Sequence, residues 1–145
     1  MKQGSAFWDS SALVPLCVRE PASQMAQSQV RKYAPVVWWG SLVEVHSAVA
    51  RLHRARSLND AHRDGALSRL RILSAGWKEI LPDDTLRELA GGLLDKHPLR
   101  SADSMQLAAA LTWCQARPAK RIFVCRDDRL SDAAEAVGFS VQRLK

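Results

Sequence analysis

The sequence predicts an α/β protein in which a mainly parallel sheet is covered by helices on both faces, a three-layer α/β/α sandwich. Three observations carry that expectation. Short apolar runs of strand length alternate with longer amphipathic runs of helix length. Residues 35–39 (PVVWW) and 121–125 (RIFVC) are apolar at nearly consecutive positions, as strands buried on both faces tend to be. The stretches between strands are long enough for the crossover helices that parallel pairing requires.

Taken in order, residues 6–8 (AFW) form a first strand that ends at Asp9. Ser10 or Ser11 caps a helix running through Ala12, Leu13, Leu16 and Cys17, and Pro21 opens a second helix reaching about Tyr33. Residues 35–39 are a buried strand, with Trp38 and Trp39, like Trp8, in the core. Ser41 starts a helix whose inward stripe is Leu42, Val45, Val49 and Leu52. A further helix spans 60–75 with Leu67, Leu70 and Ile72 or Leu73 facing inward, and 78–81 is a short strand stopped by Pro82. Asp83 or Asp84 caps a helix that ends near Gly91 and Gly92 or just after them. Ser101 begins the most apolar helix, through Leu107, Ala110, Leu111 and Cys114, which Pro118 ends. Residues 121–125 form a strand, 128–137 a helix stopped by Gly138, and 139–144 a last strand. No repeat or linker interrupts this alternation, so one domain over residues 1–145 is expected.

Composition narrows the class. Hydrophobic residues make up 47% and charged residues 25%, near the averages for soluble globular proteins. No apolar run approaches the roughly 18 to 20 residues of a membrane span. The N-terminus shows no signal-peptide pattern, so a cytoplasmic protein without membrane attachment is expected. Cys17, Cys114 and Cys125 are odd in number, far apart and set in apolar surroundings, which predicts buried thiols and neither disulfides nor a thiolate metal site. The net charge of +6 favours polyanionic partners, an argument that gains weight only if the acids are concentrated in a site.

In parallel sheets the ligand crevice lies beyond the carboxyl ends of the strands. Asp9 follows the first strand directly, and Asp127 follows the RIFVC strand after Arg126. Glu44 lies in the first turn of the helix after PVVWW, and Asp103 in the first turn of its own helix. Each also has a plain structural reading. Asp9 and Asp127 can cap helices, and first-turn carboxylates are favoured by the helix dipole. Glu44 can be an ordinary glutamate at the edge of its apolar stripe. Asp103 is harder to dismiss, since Leu107, Ala110, Leu111 and Cys114 share its face and an inward carboxylate is costly unless a cation or strong donors meet it. Converging carboxylates repel one another and raise their own pKa values. A hard cation such as magnesium resolves that conflict, taking one or two carboxylates directly and keeping several waters. Zinc lacks its ligands, because His46, His53, His62 and His97 form no HExxH or Cys/His cluster.

Four stretches carry a family resemblance. Residues 7–14 (FWDSSALV), 41–45 (SLVEV), 99–110 (LRSADSMQLAAA) and 123–130 (FVCRDDRL), followed by Ala133, Ala134 and Gly138, resemble the successive motifs of PIN-domain nucleases, particularly the VapC-type toxins. The resemblance spans nearly the whole chain in the family's order. It implies an α/β/α fold and magnesium-dependent cleavage of RNA, with manganese able to substitute. Position by position it makes Asp9, Glu44, Asp103 and Asp127 the catalytic acids, with Asp9, Asp103 and Asp127 on the metal. Ser11 matches a hydroxyl that can hold a metal-bound water, or it is simply a helix-cap hydroxyl. The resemblance further implies a homodimer and a cognate antitoxin protein. Gln106 stands where many relatives carry His, and Cys125 where they often carry Thr or Ser, which leaves open whether Asp127 or the adjacent Asp128 completes the site.

Between residues 51 and 71 six arginines face only Asp60 and Asp64. Arg51 and Arg54, together with Arg100 beside Asp103, are candidates for gripping an RNA backbone, or else the solvated face of their helices. The leading expectation is a metal-dependent endoribonuclease, the toxin of a toxin–antitoxin pair. The alternative is a catalytically silent RNA-binding or protein-interaction module on the same fold. A phosphate-transfer receiver or aspartyl phosphatase fits less well, because Asp9 stands alone after its strand and Ser11 occupies the second place of a DxD.

Overall fold

The computed structural model describes residues 4–145, so the first three of the five N-terminal residues on which no signal-peptide pattern is expected lie outside the described residues. The elements are β1 (Gly4–Trp8), α1 (Ser10–Cys17), α2 (Ser23–Lys32), β2 (Tyr33–Trp38), α3 (Ser41–Arg54), α4 (Asp60–Gly76), β3 (Lys78–Ile80), α5 (Asp84–Lys96), α6 (Ser101–Trp113), β4 (Ile122–Cys125), α7 (Asp128–Val137) and β5 (Ser140–Arg143).

The five strands form one sheet in the order β3-β2-β1-β4-β5, and every pair is parallel. Side chains alternate across it. Phe7, Val36, Trp38, Phe123 and Cys125 join the core under α5, α6 and α7, whereas Ala6, Trp8, Val37 and Val124 join the core under α1 to α4. Phe7 and Phe123, paired in register across β1 and β4, stack with ring centroids 5.4 Å apart. The result is the expected α/β/α sandwich. Its strand order reverses between β1 and β4, the position where open parallel sheets form a crevice. Pro35 costs the sheet nothing on the β3 side, since β3 pairs with β2 only from Val36 onward.

Several expectations need correction. Helix α2 starts at Ser23, because Pro21 and Ala22 form a turn and the Ser23 hydroxyl accepts from the Glu20 N–H at 2.8 Å. Helix α5 runs through Gly91 and Gly92 to Lys96. Both glycines face solvent, and burying Leu86, Ala90 and Leu93 on the inner face outweighs about 1 kcal/mol lost per glycine. Trp39 is not core: β2 ends at Trp38, and Trp39 is 54% exposed at the turn into α3. That turn is tight, since a Cβ on Gly40 would sit 2.5 Å from the Trp38 indole nitrogen. Leu42 and Ile72 are exposed, leaving Val45 and Val49 as the buried stripe of α3, and Leu73 rather than Ile72 packs inward on α4. The three cysteines are buried and free. No helix among the described residues is long and apolar enough to cross a membrane.

Candidate active site

Asp9 is placed by the end of β1, where its backbone N–H still bonds the Val124 carbonyl of β4 at 3.0 Å. Its carboxylate caps α1, with Oδ2 accepting from the Ser11 backbone N–H at 3.1 Å and from the Ser11 hydroxyl. Helix capping and burial coincide here, as Asp9 is only 3% exposed. Burial pushes its pKa up to about 6, the Ser11 hydrogen bonds oppose that rise, and the negative charges of Glu44 and Asp103 add to it. Among the described residues no cationic group offsets these effects.

Glu44 projects from the first turn of α3, half-buried. Its Oε1 accepts from the Ser10 hydroxyl at 2.6 Å and lies 3.2 Å from the Gln106 amide nitrogen. Asp103, in the first turn of α6, is likewise half-buried. Desolvation and the charge of Asp127 raise its pKa, against a hydrogen bond from the Arg100 backbone N–H and the charges of Arg100 and Arg129. Asp127 caps α7 by accepting from the Leu130 N–H at 2.8 Å and is exposed. Asp128 turns elsewhere, pairing at 3.5 Å with Arg143, which also binds Asp132 and Glu135. The charges of the four acids are thus felt in sequence, Glu44 and Asp103 on Asp9 and Asp127 on Asp103.

The hydroxyl of Ser11 is already committed. It donates to Asp9 and accepts from the Arg126 backbone N–H at 3.0 Å, tying the ends of β1 and β4 together. Cys125 adds a thiol 3.7 Å from the same Asp9 oxygen, and burial drives that thiol's pKa to about 12, so it stays protonated. Arg126 is held by Glu20 rather than by an acid of the rim. Arg100, exposed at the N-cap of α6, stands at the acidic rim, while Arg51 and Arg54 lie seven and ten residues along α3 from Glu44, about 10 and 15 Å away. A separate hollow of about 600 Å³ between α1, α2 and α4 contains none of the four acids.

Residues that the sequence reading did not assign to the site are Ser10, Ser41 and Arg129, and Gln106 is more engaged than expected. A polar residue on the inward face of so apolar a helix was the available signal for Gln106. The donor set suits a hard cation: it is all oxygen, and Asp9 is a buried carboxylate with no cationic partner among the described residues. Among the described residues no three His, Cys, Asp or Glu side chains are drawn together tightly enough to enclose an ion by themselves.

No protein-family model matches the chain. It is 35% identical over 136 residues to Ribonuclease VapC46 of Mycobacterium tuberculosis, a match that covers 93% of this chain and 94% of that protein. Its fold is similar to that in a toxin–antitoxin complex from Klebsiella pneumoniae (TM-score 0.60, 15% identity, 85% of this chain and 87% of that chain). It is also similar to that in VapBC2 from Rickettsia felis bound to a DNA fragment from their promoter (TM-score 0.66, 10% identity, 97% and 98%).

Proposed function

The chain belongs to the VapC family of PIN-domain ribonucleases, and from that premise we propose that it is a magnesium-dependent endoribonuclease, the toxin of a toxin–antitoxin pair acting in the cytoplasm. The observation that carries the proposal is the Asp9 carboxylate, buried at the strand-order reversal, bonded among the described residues only by Ser11 and Cys125, and loaded further by the charges of Glu44 and Asp103. The helix cap offsets only part of the cost of burying that charge, so a ligand of opposite charge is the natural reason for it.

Asp9, Asp103 and Asp127 would hold a magnesium ion, with manganese able to substitute. When bound, such an ion lowers the pKa of a coordinated water and neutralises charge building on the phosphate. Ser11 keeps the Asp9 carboxylate from rotating by giving it two hydrogen bonds. Glu44, anchored through Oε1 by Ser10, orients the attacking water and takes its proton. Arg100 and Arg129 flank Asp103 and would receive the scissile phosphate, while Arg51 and Arg54 extend the track for the RNA backbone. A cognate antitoxin protein and a second copy of the chain are the partners the proposal includes, the former in line with the toxin–antitoxin complex whose fold is similar.

The test is cleavage of end-labelled single-stranded RNA by the purified protein in magnesium, in manganese and in EDTA. We expect cleavage with either ion, none in EDTA, and none with Asp9→Asn or Asp103→Asn, both folded by circular dichroism. Full cleavage by either variant, or cleavage indifferent to EDTA, would overturn the proposal.

A further inference from the structure

Gln106 is 1% exposed on an inner face of α6 otherwise built from Leu107, Ala108, Ala109 and Ala110, with Ser104 the other buried polar residue. Its Nε2 lies 2.9 Å from Ser41 Oγ, 3.2 Å from Glu44 Oε1 and 3.3 Å from Ser10 Oγ. Ser10 in turn donates to the same Glu44 oxygen at 2.6 Å. An amide nitrogen has two protons, so three acceptors share two donors. At the other end, Gln106 Oε1 is buried and has no hydrogen-bond partner among the described residues.

That imbalance is informative. Turning the amide over would bring Oε1 against the Glu44 carboxylate, replacing an attraction by a repulsion between acceptors. The carboxylate therefore fixes the amide, and the amide fixes the carboxylate. An apolar side chain in this place would spare the protein a buried, unpartnered carbonyl, so packing alone gives no reason for glutamine. What the glutamine does provide is a rigid link from α6, which carries Asp103, to the first turn of α3, which carries Glu44, and to Ser10, next to Asp9.

We propose that Gln106 is a positioning residue, whose side-chain amide acts with Ser10 and Ser41 to set the orientation of the Glu44 carboxylate at the acidic rim. The proposal rests on the reading of that rim as the hydrolytic centre. It concerns catalysis through Glu44 and not contact with RNA.

The test compares wild type, Gln106→Met, which keeps length but has no donor, and Gln106→His, which restores an N–H. Gln106→Met should lower kcat about tenfold or more, leave KM for RNA within about twofold and keep its melting temperature within a few degrees. Gln106→His should recover most of the rate. A second measurement needs neither metal nor substrate: the side-chain NH2 signals of Gln106 in ¹⁵N–¹H spectra should shift in Glu44→Gln and in Ser10→Ala, and stay in place in Arg54→Ala. Wild-type kcat in Gln106→Met, a rate loss that only follows loss of folding and that His does not repair, or NH2 signals blind to Glu44→Gln would each overturn the proposal. If wild type cleaves no RNA at all, the hydrolytic reading fails, and the spectra still decide whether Gln106 holds Glu44.

Discussion

Replacing Asp9 by Asn should stabilise the metal-free protein at neutral pH even as it ends cleavage. In the unfolded chain this carboxyl titrates near its ordinary value of 3.8, and in the folded protein burial raises that to about 6. The folded state therefore binds the proton more tightly. Stability falls as pH rises from about 4 to about 6, and above that window the full penalty is present. The shift of roughly two pKa units corresponds to about 3 kcal/mol at pH 7.5. Asn keeps the shape and an acceptor for Ser11 but carries no charge to desolvate, so it should recover about 2 to 3 kcal/mol, or ~5–10 °C in melting temperature for a domain of this size. The assay is thermal and urea denaturation of both proteins in EDTA at pH 7.5 and pH 4. The variant should be the more stable at pH 7.5, with the difference vanishing at pH 4, and magnesium should raise the melting temperature of wild type alone. A variant no more stable than wild type at pH 7.5, or a gain that persists unchanged at pH 4, would refute the reasoning.

At Asp127 the structural and chemical roles can be separated. Asp127→Asn retains a good N-cap for α7 and should keep its melting temperature while losing cleavage, whereas Asp127→Ala should also cost about 1 kcal/mol in urea denaturation; full activity in Asp127→Asn would remove this residue from the site. Gly138 ends α7 at φ 117°, with a hypothetical Cβ 3.0 Å from Pro118 Cγ, so Gly138→Ala should destabilise by about 1 to 2 kcal/mol or more in the same assay. Leu107 is fully buried against the sheet, and Leu107→Ala should cost about 2 to 5 kcal/mol.

Much of the fold was legible because strand and helix leave different periods in the chain. The α7 boundaries and the Gly138 stop agree with the pattern, as do the start of α3 at Ser41 and the all-parallel placement of PVVW and IFVC in the sheet. Errors fell where a local rule met a tertiary term. The sequence pattern ends a helix near Gly91 and Gly92 or just after them, but the buried Leu93 keeps α5 going to Lys96. Trp39 read as strand core, yet the chain turns at Gly40 before any layer can cover it.

The sequence by itself determined the sandwich, the strand-end position of Asp9 and the inward lean of Asp103, because backbone period and strand-end position are properties of local order along the chain. Only the tertiary structure decided that Asp127 lies close enough to Asp103 for its charge to raise that carboxyl's pKa, while Asp128 pairs with Arg143 of β5. Only it brought Ser10, Ser41, Glu44 and Gln106 onto one hydrogen-bonded network across 96 residues of sequence. Hydrogen bonds and charges act over a few ångströms of space, and which residues come that close is set by how the helices pack on the sheet.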